Sequence, residues 1–385
     1  MASRHIAIAC TMHPPGDVRM FTRWTVGLAA RGWRVSLIAP RRGPVPEMPA
    51  GVEYIETPFV QGHLSRYRKA SRVLKPLGDL DPDVVLFPDP ELIPVMLPYR
   101  HKHKAIAVFD RHENFDRPDE QFSYNFLSSA AAFAYVLYED WALPHLDGVV
   151  VVLEGMLRRL NRRTKSIVAH NFPTGATYAR LAQGPRPGTK AYTCVNIGSQ
   201  QLIRGLREWL ETVRILVKER GRSDFTILLG GRFDPGAYDV ARDFVAAHDL
   251  QDAVTLAPQP FSHAESLNQV CAARIGFSPL LNNAMAKLEL QNKLLEFMGA
   301  SLPVITSPSS MDGEIVRAAH CGVLHWADKV NELADALERY MDNPDEARRL
   351  GQAGREYATS HLCWDRELDA IEEWFEKLIA AKRRG

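Results

Sequence analysis

The sequence predicts an α/β protein of two domains, each built on a parallel sheet with helices on both faces. Three observations lead there. The chain has 385 residues, too many for one ordinary hydrophobic core. Short apolar runs alternate with amphipathic helical stretches along its length, the pattern of repeated βαβ units. A stretch rich in Pro, Gly and small residues, Asn171-Phe-Pro-Thr-Gly-Ala-Thr followed by Ala182-Gln-Gly-Pro-Arg-Pro-Gly-Thr-Lys190, interrupts that alternation near the middle and marks a domain boundary.

Ile6-Ala-Ile-Ala-Cys10 reads as a buried first strand. The loop Thr11-Met-His-Pro-Pro-Gly-Asp-Val-Arg19 follows it, then a helix from about Met20 to Arg31, Gly32, and a second strand at Trp33-Arg-Val-Ser-Leu-Ile-Ala39. Val84–Phe87, Ala105–Phe109 and Gly148–Leu153 give further buried strands. This is a Rossmann-like order without the G-x-G-x-x-G fingerprint of dinucleotide binding. Ligands of open α/β sheets bind at the C-terminal ends of the strands. Gly16, Asp17 and Arg19 are therefore candidate cleft residues: Arg19 can meet a phosphate bidentately, while Asp17 can cap the helix or hold Arg19. Tyr67–Pro76 and Arg158–Lys165 are basic stretches, read either as solvated helix faces or as contacts to a membrane or an anionic acceptor.

In the second half, Tyr192-Thr-Cys-Val-Asn-Ile-Gly198 opens a new sheet, with a helix from about Gly205. Phe225–Gly231 is the next strand, and Val254-Thr-Leu and Ile275–Ser278 follow. The most informative stretch is Leu288–Ser307, which predicts a short helix, a tight turn and a buried strand. Leu294, Leu295, Phe297 and Met298 form its apolar stripe, and Pro303 ends the helical part. Lys293 and Glu296 share one face near the helix start. A lysine at a helix N-terminus favours phosphate, and a carboxylate one turn on can accept hydrogen bonds from both hydroxyls of a ribose. Their order suits a nucleoside diphosphate; the plain alternative is a solvated ion pair. A long amphipathic helix at Trp364–Lys377 closes the chain.

The wording Lys293-x-x-Glu296-Phe-Met-Gly-Ala-Ser-Leu-Pro-Val-Ile305 resembles the nucleotide-sugar motif of retaining GT-B glycosyltransferases of the family 4 group. His13-Pro-Pro-Gly-Asp-Val-Arg-Met-Phe21 and Asp110-Arg-His-Glu113 are similar to motifs of a polysaccharide-forming branch of it. The resemblance implies two Rossmann-like domains facing across a cleft, with a C-terminal helix packing back on the first. The boundaries expected are 1–172, a linker 173–190, 191–360 and the crossing helix 361–385. It implies that Lys293 faces the diphosphate and Glu296 the ribose, with Arg204, before Gly205, as a second cation. Gly198 and Gly231 would let the backbone approach the donor, and His112 and Glu113 would lie by its sugar. Many relatives place a glutamate at the position of Leu288; Glu289 is one residue off. The turn residue that is usually glycine is Ser301.

Composition bounds the partners. Hydrophobic content of 46% and charged content of 24% fit a folded soluble protein, and no apolar run approaches the roughly 20 residues that span a bilayer. Five scattered cysteines without a C-x-x-C suit free thiols in a reducing cytoplasm and no zinc site. Residues 1–180 hold 23 Lys/Arg against 18 Asp/Glu, and the remainder 24 against 28. That mild basic bias allows contact with the inner face of a membrane but is too weak for nucleic acid. The expected activity is retaining transfer from a nucleotide sugar, a UDP-sugar first and a GDP-sugar second, to a saccharide or lipid-linked acceptor. The departing diphosphate gains charge in the transition state, so two fixed cations can serve where others use a metal. No cofactor, metal or protein base is called for, because the leaving phosphate can take the acceptor's proton. A sugar-nucleotide 2-epimerase and a non-catalytic sugar-nucleotide-binding partner stay open as alternatives.

Overall fold

The computed structural model describes residues 4–112, 126–283, 286–288 and 290–384. The chain divides into two compact units, the first made of Met1–Asn171 with Trp364–Gly385 and the second of Phe172–Cys363.

Unit 1 carries β1 (His5–Ala9), β2 (Arg34–Pro40), β3 (Val52–Thr57), β4 (Val84–Phe87), β5 (Ile106–Arg111), β6 (Gly148–Val151) and β7 (Ser166–Val168). They form one parallel sheet in the order β3-β2-β1-β4-β5-β6-β7. Successive side chains of a strand point to opposite faces, and the two cores of the unit follow that rule. Ile6, Ile8, Leu37 and Leu86 lie in one core, Ala7, Ala9, Ile38 and Phe87 in the other. Strands buried on both sides read as continuous apolar runs, which is why the central ones were legible. β3 and β7, at the sheet edges, are only partly buried and carry no such run; the sequence reading missed both.

The first of these cores is completed by the last helix of the chain, Trp364–Arg384. Trp364, Leu368, Ile371, Phe375 and Leu378 are buried in it with Trp24 and Leu28. The fit needs a glycine on β6: a Cβ at Gly148 would sit 2.5 Å from the Trp374 ring. Polar contacts add to this apolar seam. Trp33 Nε1 donates to Glu372 at 2.7 Å, and Lys382 Nζ reaches Asp147 at 2.9 Å.

Unit 2 carries β8 (Tyr192–Gln200), β9 (Ile227–Phe233), β10 (Val254–Ala257), β11 (Ala273–Ser278), β12 (Val304–Thr306) and β13 (Gly322–Leu324), again all parallel, in the order β10-β9-β8-β11-β12-β13. Renumbered from its own start this is 3-2-1-4-5-6, the doubly wound Rossmann order. The half-buried edge strand β13 was also missed.

Residues 173–190 differ from the linker expected of them. Helix Gly175–Ala182 occupies part of the stretch, capped by the Thr174 hydroxyl, which accepts from the Thr177 N–H at 3.1 Å. Tyr178 and Leu181 are buried in a unit 2 core, and the Tyr178 hydroxyl donates to the Leu362 carbonyl at 2.8 Å. Apolar residues at helical spacing outweigh the Pro and Gly on either side. The chain thus leaves unit 1 after Asn171 and returns after Cys363. Among the described residues no helix is long and apolar enough to cross a membrane, and all five cysteines are free.

Candidate functional site

In unit 2, helix Asn292–Gly299 starts beside the C-terminal end of β8. Gln291 fixes that start. Its N–H donates to Asp312 at 3.0 Å, and its side-chain amide donates to Asp312 at 2.7 Å and to the Ser278 carbonyl at 3.0 Å. Lys293 occupies the first turn, where unpaired N–H groups and the helix dipole favour an anion. Its Nζ donates to Asn196 Oδ1 at 2.6 Å. Asn196 is fully buried and is itself held by donating to the Phe277 carbonyl at 3.1 Å. This amide orients the ammonium.

Below that ammonium the backbone is bare. Gly198 and Gly231 are paired across β8 and β9, with φ of +134° and +113°. A Cβ at Gly198 would lie 3.6 Å from Lys293 Nζ, and one at Gly231 would lie 2.2 Å from the Gly198 carbonyl. Gly231 therefore tolerates no side chain, and the pair opens a path for a ligand to reach main-chain N–H groups. Glu296 follows Lys293 by one turn and is half-buried. Arg204 ends the short turn Leu202–Arg204 after β8, with its Nε donating to Gln201 at 2.7 Å; Gly205 follows with φ +106°. After the helix, Ser301 takes the left-handed conformation at φ +60°. Its N–H bonds to Met298 and that of Leu302 to Phe297, each at 3.0 Å, so the expected glycine turn forms on a serine. Glu289 lies outside the described residues.

In unit 1 the outcome differs residue by residue. Asp17 caps: its carboxylate accepts from the N–H groups of Arg19 and Met20, both at 2.8 Å. Gly16 is exposed in the turn before it. Arg19 corrects the expectation placed on it. Its guanidinium is buried and grips Asp110 through two hydrogen bonds of 2.8 Å, with a third to Asn171 at 2.7 Å. This is a buried ion pair, with four of the five guanidinium N–H groups bonded inside the protein. Burial opposes ionisation of Asp110, but the charges of Arg19 and His112 and the hydrogen bonds from Arg19 and Trp24 hold its carboxyl below the usual range.

His112 follows β5, its Nδ1 3.2 Å from the Asp110 carbonyl and its ring 5.1 Å from that of His13, edge to face. Glu113 lies outside the described residues. His13 was passed over in the sequence. Its Nδ1 lies 3.0 Å from Asp89, a buried carboxylate that also accepts from the N–H groups of Thr11 (2.6 Å) and Met12 (3.1 Å). Cys10, His13 and Asp89 bring potential ligand atoms within 4.8 Å of one another. Burial pushes the Cys10 thiol well up, and the Asp89 oxygens are taken by the loop. Two signals pointed to the missed residues: the acids of Asp89-Pro-Glu91 directly after β4, and Asn196 as the polar interruption of an apolar strand.

Two family profiles match the chain, "Glycosyl transferase 4-like domain" over residues 16–165 and "Glycosyl transferases group 1" over residues 191–343. The chain belongs to the family 4 type of GT-B glycosyltransferases. The chain is 28% identical over 168 residues to the GDP-mannose-dependent alpha-(1-6)-phosphatidylinositol monomannoside mannosyltransferase of Mycobacterium tuberculosis (strain CDC 1551 / Oshkosh), which is 44% of this chain and 37% of that one. It is 26% identical over 213 residues to the MMP alpha-(1->4)-mannosyltransferase of Mycolicibacterium hassiacum, covering 55% of this chain and 49% of that one. The matched stretches thus span less than half of either relative. The fold is similar to that of sucrose-phosphate synthase from Thermosynechococcus elongatus, with a TM-score of 0.73, 18% identity, and 98% of this chain matched to 100% of the other.

Proposed function

We propose that the protein transfers a sugar from a nucleoside-diphosphate sugar to a saccharide or lipid-linked acceptor, with retention of configuration. The observation that carries this is the Lys293 ammonium held by Asn196 above the paired glycines Gly198 and Gly231. A diphosphate needs both parts, a cation that stays charged and backbone it can approach. Glu296, one turn on, takes the ribose. Arg204 is the second cation, so the leaving group's growing charge is balanced by side chains and no metal is required. Retention follows the resemblance of the Lys293–Ile305 motif. Unit 1 holds the acceptor, and a lipid-linked acceptor brings with it contact with the inner face of a membrane. The GDP-mannose dependence of the tuberculosis relative supports a GDP-sugar as the first donor to test, ahead of the UDP-sugar favoured on the motifs alone.

A thermal-shift panel of GDP, UDP, ADP and CMP with their sugar conjugates tests the donor site. Ligand at a hundred times its Kd stabilises by about 2.7 kcal/mol. One base should shift the protein strongly, with the shift lost in Lys293→Ala/Glu296→Ala and unaffected by EDTA. No shift with any nucleotide would sink the reading. A shift without transfer or hydrolysis would leave a sugar-nucleotide-binding protein.

A further inference from the structure

The basic stretch within Tyr67–Pro76 has no part in the donor site, yet the fold gives it a definite place. Arg66 and Lys69 on helix His63–Lys69, and Arg72 in the turn Ala70–Val73, line one small pocket that opens to solvent. Thr11, just past β1, and Thr57, at the end of β3, line it from the sheet. The pocket therefore sits at the C-terminal edge of a parallel sheet, where ligands of open α/β folds bind.

Its charge is unbalanced. Residues 58–78 contain five Lys/Arg and no Asp or Glu. Arg66 is mostly buried, its Nε 3.5 Å from Glu91, which also accepts the Thr11 hydroxyl at 2.8 Å. That carboxylate fixes one cation in place and offsets one charge of the three. Lys69 and Arg72 are exposed and have no carboxylate partner among the described residues. A positioned arginine, two further cations and the Thr57 hydroxyl match a doubly charged tetrahedral anion, because guanidinium meets phosphate in a planar fork and ammonium meets it as a point charge. A rim of exposed Phe59, Leu64 and Leu74 surrounds these residues in the sequence.

We propose that this pocket takes a phosphate group carried by the acceptor. The assignment rests on the reading that unit 1 holds the acceptor. The phosphate can belong to a free sugar phosphate or to a lipid headgroup, and both present the same group to Arg66, Lys69 and Arg72.

The test uses the full chain carrying Lys293→Ala/Glu296→Ala, so that the donor site does not compete for the probe. Inorganic phosphate and glycerol phosphate are titrated at low ionic strength by calorimetry. Vesicles of phosphatidylcholine with and without phosphatidylglycerol are followed by co-sedimentation. Adding Lys69→Ala/Arg72→Ala, both at exposed positions, should weaken phosphate binding on the order of tenfold. Loss of phosphate and anionic-vesicle binding together assigns a lipid headgroup; loss of phosphate binding with no vesicle binding assigns a soluble phosphate. Both outcomes support the pocket. Absence of phosphate binding, or binding unchanged by Lys69→Ala/Arg72→Ala, overturns it. The nucleotide panel reads the donor site separately, so failure there is not confused with failure here.

Discussion

Each unit places a cation near the C-terminal end of its first strand, and the two stand in opposite settings. In unit 1, Arg19 faces a carboxylate in a dry core, and its charge is cancelled by Asp110. In unit 2, Lys293 faces the amide of Asn196 over two glycines. The arginine is bound on two edges and serves as a brace between β5 and the segment after β1. The lysine is aimed by an amide, beside the paired glycines. What separates the two is the setting, a buried core for Arg19 and a partly exposed position beside glycine backbone for Lys293, and sequence spacing reveals neither.

Breaking the two partners should therefore give different phenotypes. Asp110→Ala leaves a buried guanidinium uncompensated and should destabilise unit 1 by about 3–5 kcal/mol. Asn196→Ala should cost about 1–3 kcal/mol and in addition lower nucleotide affinity. Urea denaturation followed by nucleotide titration checks both; equal losses of stability with intact nucleotide binding would erase the distinction. A smaller effect is expected at Ser301, where glycine removes the left-handed strain. Ser301→Gly should stabilise unit 2 by about 1 kcal/mol, read as a rise in the unfolding midpoint.

The smallest effect is in pH. His170, just before the passage into unit 2, lies 3.2 Å from Glu367 and 3.1 Å from Glu154. Burial opposes its protonation, but the hydrogen bond and charge of Glu367, with help from Glu154, raise its pKa above the ordinary value of 6.5. A raised histidine pKa stabilises the fold fully below the unfolded value, and that contribution is lost as pH rises through the folded value. Stability of the wild type should therefore fall across that window above pH 6.5, and His170→Asn should flatten the slope. An unchanged slope would assign the dependence to other groups.

The double Rossmann-like architecture and the helix that carries Lys293 and Glu296 were legible because both are local patterns. Central strands buried on two faces read as apolar runs, and Lys293 and Glu296 are fixed by one helix turn. The edge strands β3, β7 and β13 were not, since half-buried strands lose the signal. Helix Gly175–Ala182 was hidden by its Pro- and Gly-rich flanks. The role of Arg19 depends on Asp110, 91 residues away, and that of His13 on Asp89, 76 residues away. Such pairs exist only once the sheet has assembled.

The discontinuous make-up of unit 1 also sets a timetable. A nascent chain releases residues 1–171 first, but the apolar face around Trp24 and Leu28 is covered by Trp364, Leu368 and Phe375, which are synthesised after all of unit 2. At roughly 5–20 residues per second, the intervening stretch takes on the order of ten to forty seconds to emerge. During that interval unit 2 can mature while its predecessor waits with an uncovered greasy surface. The unit synthesised earlier is the one that finishes folding later, and a ribosome stalled before Trp364 would leave it a substrate for chaperones.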